Sequence, residues 1–186
     1  TVTAHGTGDV FAKEYDAVAG QDNTVIAGGE YKVIAPGTKK ENATLVTLSG
    51  QPEVAVNVTY SAEHFNLTGN WASDDAGTFY CPLIITVGDT VIKCAEKTSA
   101  DDVKTAVKTA VAACSATYGP NTDLSAAAVA NEGLKISWEW PFEGTDNPGQ
   151  TDEKDTYLGN QATKTATPEI LPSIYIPVTA TVTQID

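Results

Sequence analysis

The sequence contains no arginine, no methionine and only two histidines, and each shortage excludes a class of function. Arginine is best suited to bidentate recognition of phosphate and carboxylate groups, so its absence disfavours such sites. A helical zinc protease motif needs two histidines one turn apart with a glutamate between them, but His5 and His64 are far apart in the sequence. No apolar run approaches the roughly 18 residues that a membrane-spanning helix needs, so we expect no membrane span.

Positive charge is also scarce, because 11 lysines face 24 aspartates and glutamates and the net charge is −13. Nucleic-acid binding depends on a basic surface, so we expect no nucleic-acid partner. The acidity indicates a solvated surface, and copies of the chain repel one another electrostatically.

Recognisable catalytic motifs are missing as well. The sequence has no Gly-x-Ser-x-Gly elbow, phosphate loop or dinucleotide fingerprint. Carboxylates cluster at Asp74, Asp75, Asp146, Asp152, Glu153 and Asp155. We interpret them as solvated surface, with a Ca²⁺ site as the alternative, although their spacing matches no EF-hand. We therefore predict that the chain is not an enzyme and has no cofactor and no metal.

Several features indicate secretion. The chain of 186 residues begins at Thr1 and contains no Met, which we interpret as a mature secreted protein whose signal peptide has been removed. Three Asn-x-Thr sequons, at Asn42, Asn57 and Asn66, predict N-glycosylation if the source organism has the machinery.

The cysteine count is three, which in a secreted chain suggests one disulfide and one free or intermolecular thiol. A hairpin turning at Gly88 and Asp89 would bring Cys81 and Cys94 to the same end. We therefore favour the pair Cys81–Cys94, with Cys94–Cys114 as the second choice.

Periodicity predicts a mainly β chain with two helices. Period-two alternation predicts strands over 53–60, 134–142 and 173–185, whereas helical spacing after Ser99 predicts a helix to about residue 117. Asp123 is expected to cap a second helix ending near residue 132. Leu134, Ile136, Trp138 and Trp140 share one strand face, and residues 143–159 are interpreted as a long acidic loop.

Residues 138–186 resemble the TasA/camelysin family of secreted fibre-forming proteins, and are most similar to its archaeal bundling-pilus subunits. The resemblance rests on Trp138-Glu139-Trp140-Pro141-Phe142, on Asp155-Thr156-Tyr157-Leu158-Gly159, and on the closing strand rich in Thr, Val and Ile. Earlier segments agree in layout, with helices inserted before the tryptophan strand. Some relatives are described as metalloproteases, but this sequence lacks the required His-Glu-x-x-His site.

The resemblance implies a jelly-roll-like antiparallel β-sandwich whose subunits polymerise head to tail by donor-strand complementation. Residues 1–12 would be the donor strand and residues 13–186 a single sandwich domain. The donor residues would be Val2, Thr3, Ala4, Gly6, Gly8, Val10 and Phe11, because alternate side chains fill pockets and glycines pass a narrow groove. The partner would be the chain itself, in extracellular cell-surface filaments that bundle and build biofilm matrix. Glycans at the three sequons would lie on or between fibres.

The alternative is a monomeric secreted cell-surface or carbohydrate-binding module on a β-sandwich. Trp71, Trp138, Trp140 and Tyr157 would then supply a sugar platform. Trp138 and Trp140 share a face with Leu134 and Ile136, however, which favours a place in the core. A secreted enzyme is a third hypothesis, for which the sequence offers no nucleophile or metal site.

Overall fold

The computed structural model describes residues 2–6, 24–27, 31–34, 36–126, 133–142, 146–164 and 172–185. Its strands are β1 (Val2–Gly6), β2 (Thr24–Ala27), β3 (Tyr31–Ile34), β4 (Thr38–Val46), β5 (Val56–Ser61), β6 (Asn66–Thr68), β7 (Ile84–Val87), β8 (Thr90–Lys93), β9 (Ala116–Tyr118), β10 (Leu134–Trp140), β11 (Ser173–Tyr175) and β12 (Val178–Gln184). Its helices are α1 (Ala100–Ala113) and α2 (Asp152–Lys164), and a 3₁₀ turn spans Cys94–Glu96. The prediction of a mainly β chain with inserted helices is confirmed.

Two four-stranded antiparallel sheets form the body of the fold. One has the order β1-β12-β5-β9 and the other the order β4-β10-β7-β8. Two ribbons accompany them, β11 with β6 and β2 with β3. In the second ribbon, Thr24–Ala27 pairs antiparallel with Tyr31–Ile34. The jelly-roll order implied by the family resemblance stays a prediction.

The inner faces of both sheets supply one hydrophobic core. Leu134, Ile136, Trp138 and Trp140 are all buried on β10, as the period-two pattern predicts. The opposite sheet contributes Val58 and Ala180, which are no more than 1% exposed. Because alternate residues of both sheets enter the same cluster, the two layers pack face to face.

Helix α1 begins where the sequence predicts but ends earlier. The Ser99 hydroxyl accepts a hydrogen bond from Asp102 N at 3.1 Å, which caps the first turn. Val103, Val107 and Val111 are fully buried, so the predicted apolar stripe packs on the core. The expected end near residue 117 is wrong, because the chain leaves the helix and residues 116–118 pair with β5 as β9.

The second helix does not begin at Asp123, because residues 123–126 form a turn. Asp123 Oδ1 instead accepts from Ser125 N and Ser125 Oγ, at 3.0 and 2.8 Å, in a local turn. Leu124 N donates to Gly50 O at 2.8 Å, so this amide is taken by a distant loop. Residues 127–132 of the predicted helix lie outside the described residues.

A helix also replaces the second half of the predicted acidic loop. Thr151 Oγ1 accepts from Lys154 N at 3.3 Å, a cap for the start of α2. Asp152, Glu153 and Asp155 occupy its first turn, where negative charge is favourable at the positive end of the helix dipole. The acidic composition therefore marks a helix start.

The closing segment 173–185 forms two strands rather than one. Ser173–Tyr175 pairs with β6, whereas Val178–Gln184 pairs with β5 and β1. Proline at position 177 has no N–H to donate to a ladder, which explains the break between them. Thr44 Oγ1 fixes the junction by donating to Ile176 O at 2.8 Å.

Candidate polymer interface

The predicted donor strand lies at the edge of its own sheet. Residues Val2–Gly6 form β1, which pairs antiparallel with β12. Its other edge has no partner strand among the described residues. Of the predicted donor residues, Val2, Thr3, Ala4 and Gly6 are therefore described, whereas Gly8, Val10 and Phe11 lie outside the described residues, as does the proposed domain boundary after residue 12.

The register pairs the described anchor positions of β1 with three residues of β12. Val2 lies opposite Val182, Ala4 opposite Ala180 and Gly6 opposite Val178. Ala180 is 1% exposed and Val178 is 2% exposed, so both face the core.

Strand β1 also lies near β4 of the other sheet. Without β1, the edge of β12 would present unpaired main-chain groups, and an open edge of that kind can pair with a strand from another chain.

The tryptophans of the alternative sugar platform are in the core. Trp71 is 5% exposed, and Trp138 and Trp140 are each 2% exposed, so they offer no flat surface to a sugar ring. Phe142 is instead the exposed aromatic of this segment, at 65%. It borders a groove of ≈ 530 Å³ on the outer face of the second sheet, together with Val91, Lys93 and Glu139.

The cysteines occupy two separate places. Cys81 and Cys94 are fully buried, and hydrogen bonding to the Cys81 thiol, together with burial, raises the pKa of Cys94 well above its ordinary value. Cys114 lies beside Gly88, at the turn end of the β7–β8 hairpin, and its thiol donates to Ala110 O at 3.4 Å. All three are free thiols in the structure, so the Cys81–Cys94 bond stays a prediction.

One of the predicted surface carboxylates is buried. Asp155 is 4% exposed, accepting from Tyr80 Oη at 2.5 Å and from Gln150 Nε2 at 2.6 Å. Gln150 Nε2 also donates to Pro141 O at 2.7 Å. The interpretation of Asp155 as solvated is therefore wrong, and the carboxylate instead joins α2 to the segments before β7 and after β10.

Asn147 extends this polar network, which sequence reasoning missed. Its Nδ2 donates to Pro82 O at 3.0 Å and to Gln150 Oε1 at 2.9 Å. Gly149, with φ +89°, brings the loop so close to Ala95 that an added Cβ would overlap the Ala95 carbonyl oxygen. The only sequence signal was a cluster of Asn, Gln and Asp just before a helix.

The other carboxylates have local roles. Asp74 Oδ1 accepts from Thr78 N at 3.0 Å in a turn. Hydrogen bonding from the Thr78 side chain, and then from its backbone, lowers the pKa of Asp74. Tyr157 Oη donates to Asp75 Oδ1 at 2.9 Å. In the part of the chain that the structure describes, no group of three or more His, Cys, Asp and Glu side chains is placed to hold a metal ion.

The sequons fall on three different strands. Asn42 lies in β4, next to an irregularity in the register with β10. Asn57 lies in β5, between β12 and β9, and is half-buried. Asn66 opens the short strand β6 and is exposed.

The chain matches no protein-family model, no curated protein and no solved structure in these three comparisons. The resemblance to the TasA/camelysin family therefore stays a prediction. Neither helix of the described ranges is long and apolar enough to cross a membrane.

Proposed function

We propose that this chain is a secreted structural subunit of an extracellular filament, a pilus or biofilm-matrix fibre, and not an enzyme. Subunits join head to tail when the N-terminal strand of one copy takes the place of β1 in the next. The observation that carries the proposal is the antiparallel pairing of the N-terminal strand at a sheet edge, over five residues beside β12.

Strand exchange needs no new recognition chemistry. A second copy presents the same five residues, so it can make the same main-chain hydrogen bonds to β12 in the same register. A head-to-tail contact of this kind does not close on itself, so it produces an open filament.

The sequence also gives the donor strand enough reach. Residues 7–23 separate β1 from β2, and a stretch of that length spans at most about 60 Å when fully extended. That reach exceeds the dimensions of one sandwich layer, so a neighbouring copy is accessible to the strand.

The first experiment is electron microscopy of the full chain beside a variant lacking residues 1–12. Filaments from the full chain and none from the shortened chain are expected. To separate a loss of folding from a loss of polymerisation, a synthetic peptide of residues 1–12 is added in a parallel sample. The peptide is expected to restore the fold, seen by circular dichroism, without restoring filaments.

A cross-link distinguishes exchange from pairing within one chain. Ala4 and Ala180 lie directly opposite each other, so the double variant Ala4→Cys, Ala180→Cys places two thiols side by side. After oxidation of the assembled sample, exchange yields a covalent ladder of dimers, trimers and longer species on a non-reducing gel. Cross-linked monomers alone would contradict the proposal, and the two single variants serve as controls for the native cysteines.

The alternative is a monomeric secreted carbohydrate-binding module. The groove beside Phe142 favours it, because an exposed aromatic at a groove suits a sugar ring. Glycan-array binding that is lost in Phe142→Ala, from a chain that stays monomeric, would support this function instead.

A further inference from the structure

Ribbon β6–β11 presents one sequon on a single open face. Asn66 and Thr68 are exposed, whereas Leu67 between them is 9% exposed and faces the core. Both polar residues of the sequon therefore point to solvent, because successive side chains of a strand alternate between its faces.

Core contacts hold this ribbon in place. Ile174, the cross-strand partner of Leu67, is fully buried. Trp71 Nε1 donates to Thr68 O at 3.0 Å and to Ser173 O at 3.3 Å, one carbonyl on each strand. The extended backbone of the sequon is therefore fixed by side chains on its inner face, and the outer face is left open.

An aromatic ring lies directly across from the sequon asparagine. Tyr175 is the cross-strand partner of Asn66 and is 44% exposed. Side chains of directly opposed residues share a face and have Cβ atoms about 5 Å apart. A sugar joined to Asn66 Nδ2 thus begins beside the ring of Tyr175, whose apolar surface suits the apolar face of a pyranose.

The sequon at Asn57 is less open to modification. Asn57 lies in a strand with neighbours on both sides, and it is half-buried. Its Oδ1 accepts from Thr117 Oγ1 on β9 at 3.4 Å, so the amide is held against the sheet. The two sequons therefore differ in accessibility although their sequence pattern is the same.

We infer that Asn66 is glycosylated in preference to Asn57 in the folded chain and that its first sugar stacks on Tyr175. The reaction joins Asn66 Nδ2 to the anomeric carbon of a sugar carried on a polyprenyl diphosphate. The bond from that carbon to the diphosphate oxygen breaks, and the amide proton passes to a base of the transferase. The inference rests on the proposed secretion and is independent of polymerisation.

The test starts from the full chain, produced folded and free of sugar. It is treated with a purified oligosaccharyltransferase that accepts Asn-x-Ser/Thr and with a polyprenyl-diphosphate oligosaccharide. Mass spectrometry of peptides then gives the rate of modification at each site, and urea-denatured chain serves as the control. We expect at least a tenfold preference for Asn66 over Asn57 in the folded full chain, and comparable rates once it is denatured.

The role of Tyr175 needs a separate measurement. The melting temperature of glycosylated chain is compared with that of sugar-free chain, for the native sequence and for Tyr175→Ala. We expect glycosylation to raise the melting temperature of the native sequence and of the control Phe142→Ala, which removes another exposed aromatic ring outside the β6–β11 ribbon. The rise should disappear in Tyr175→Ala. Equal modification rates at Asn57 and Asn66 in the folded chain, or no modification of Asn66, would overturn the inferred preference for Asn66. An unchanged rise in melting temperature on glycosylation of Tyr175→Ala would overturn the stacking.

Discussion

The buried pair of Tyr80 and Asp155 gives the sharpest test of how this fold is held together. The variant Tyr80→Phe removes only the hydroxyl, which donates to Asp155 Oδ1 at 2.5 Å, and keeps the ring. Asp155 is 4% exposed, so water reaches the abandoned oxygen only if the loop opens. Losing a hydrogen bond to a buried charged group costs about 2–3 kcal/mol of unfolding free energy. For a chain of this length, that lowers the melting temperature by roughly 5–10 °C.

Tyr157→Phe is the matched control. Its hydroxyl also donates to an aspartate, Asp75 Oδ1 at 2.9 Å, and it lies on α2, two residues after Asp155. Asp75 is exposed, so water replaces the lost partner. We expect a cost below about 0.5 kcal/mol, as is usual for surface substitutions.

Urea unfolding followed by circular dichroism measures both variants. A double-mutant cycle with Asp155→Asn then isolates the coupling between Tyr80 and Asp155, which we expect to exceed about 1 kcal/mol. If Tyr80→Phe costs no more than Tyr157→Phe, the network at the start of α2 does not stabilise the fold and the reasoning is refuted.

Three further predictions concern other parts of the fold. Oxidation of Cys81 and Cys94 closes a short loop and should raise the unfolding free energy by about 3 kcal/mol over reduced chain; three titratable thiols in denatured, secreted protein would exclude the bond. Gly149→Ala should lower the free energy of unfolding in urea by about 2 kcal/mol or more, because the added Cβ overlaps the Ala95 backbone and the residue has a positive φ. The control Gly50→Ala has a positive φ but meets open space, so it should cost less. Burial raises the pKa of Tyr60 to about 12 from 10.0, so its contribution to stability is complete below pH 10 and is lost as pH rises towards 12; phenolate absorbance that titrates fully near pH 10 in folded chain would contradict this.

Alternating strands were predictable because one buried face imposes a period of two. The tryptophan strand follows this rule from Leu134 to Trp140, and every second side chain is buried. In β5 the same pattern holds for Val58 and Tyr60 but fails at Val54, which is 40% exposed because it precedes the strand. Periodicity therefore identifies a buried face but leaves the ends of the strand undetermined.

Features that depend on distant partners were not predictable. Asp155 and Tyr80 are 75 positions apart, so nothing local distinguishes Asp155 from the exposed acids around it. The density of Asp and Glu over residues 143–159 indicates a loop, but the same residues also suit the first turn of a helix, as in α2. The segment 173–185 divides into two strands at Pro177. The sequence alone does not show that the two halves pair with different strands.

Strand exchange leaves the number of main-chain hydrogen bonds along β12 nearly unchanged, because a second copy supplies the strand that the chain otherwise supplies itself. The main-chain pairing of Val2–Gly6 would therefore contribute almost equally to a monomer and to the proposed filament. What decides assembly is then the loss of translational freedom, the repulsion between subunits of net charge −13, and any new contacts between their surfaces. Protein concentration and ionic strength should govern the equilibrium more than the strength of the donor strand. A weak, glycine-containing strand is consequently compatible with a stable filament. The strand of a neighbouring chain only has to pair with β12 as well as the chain's own β1 does.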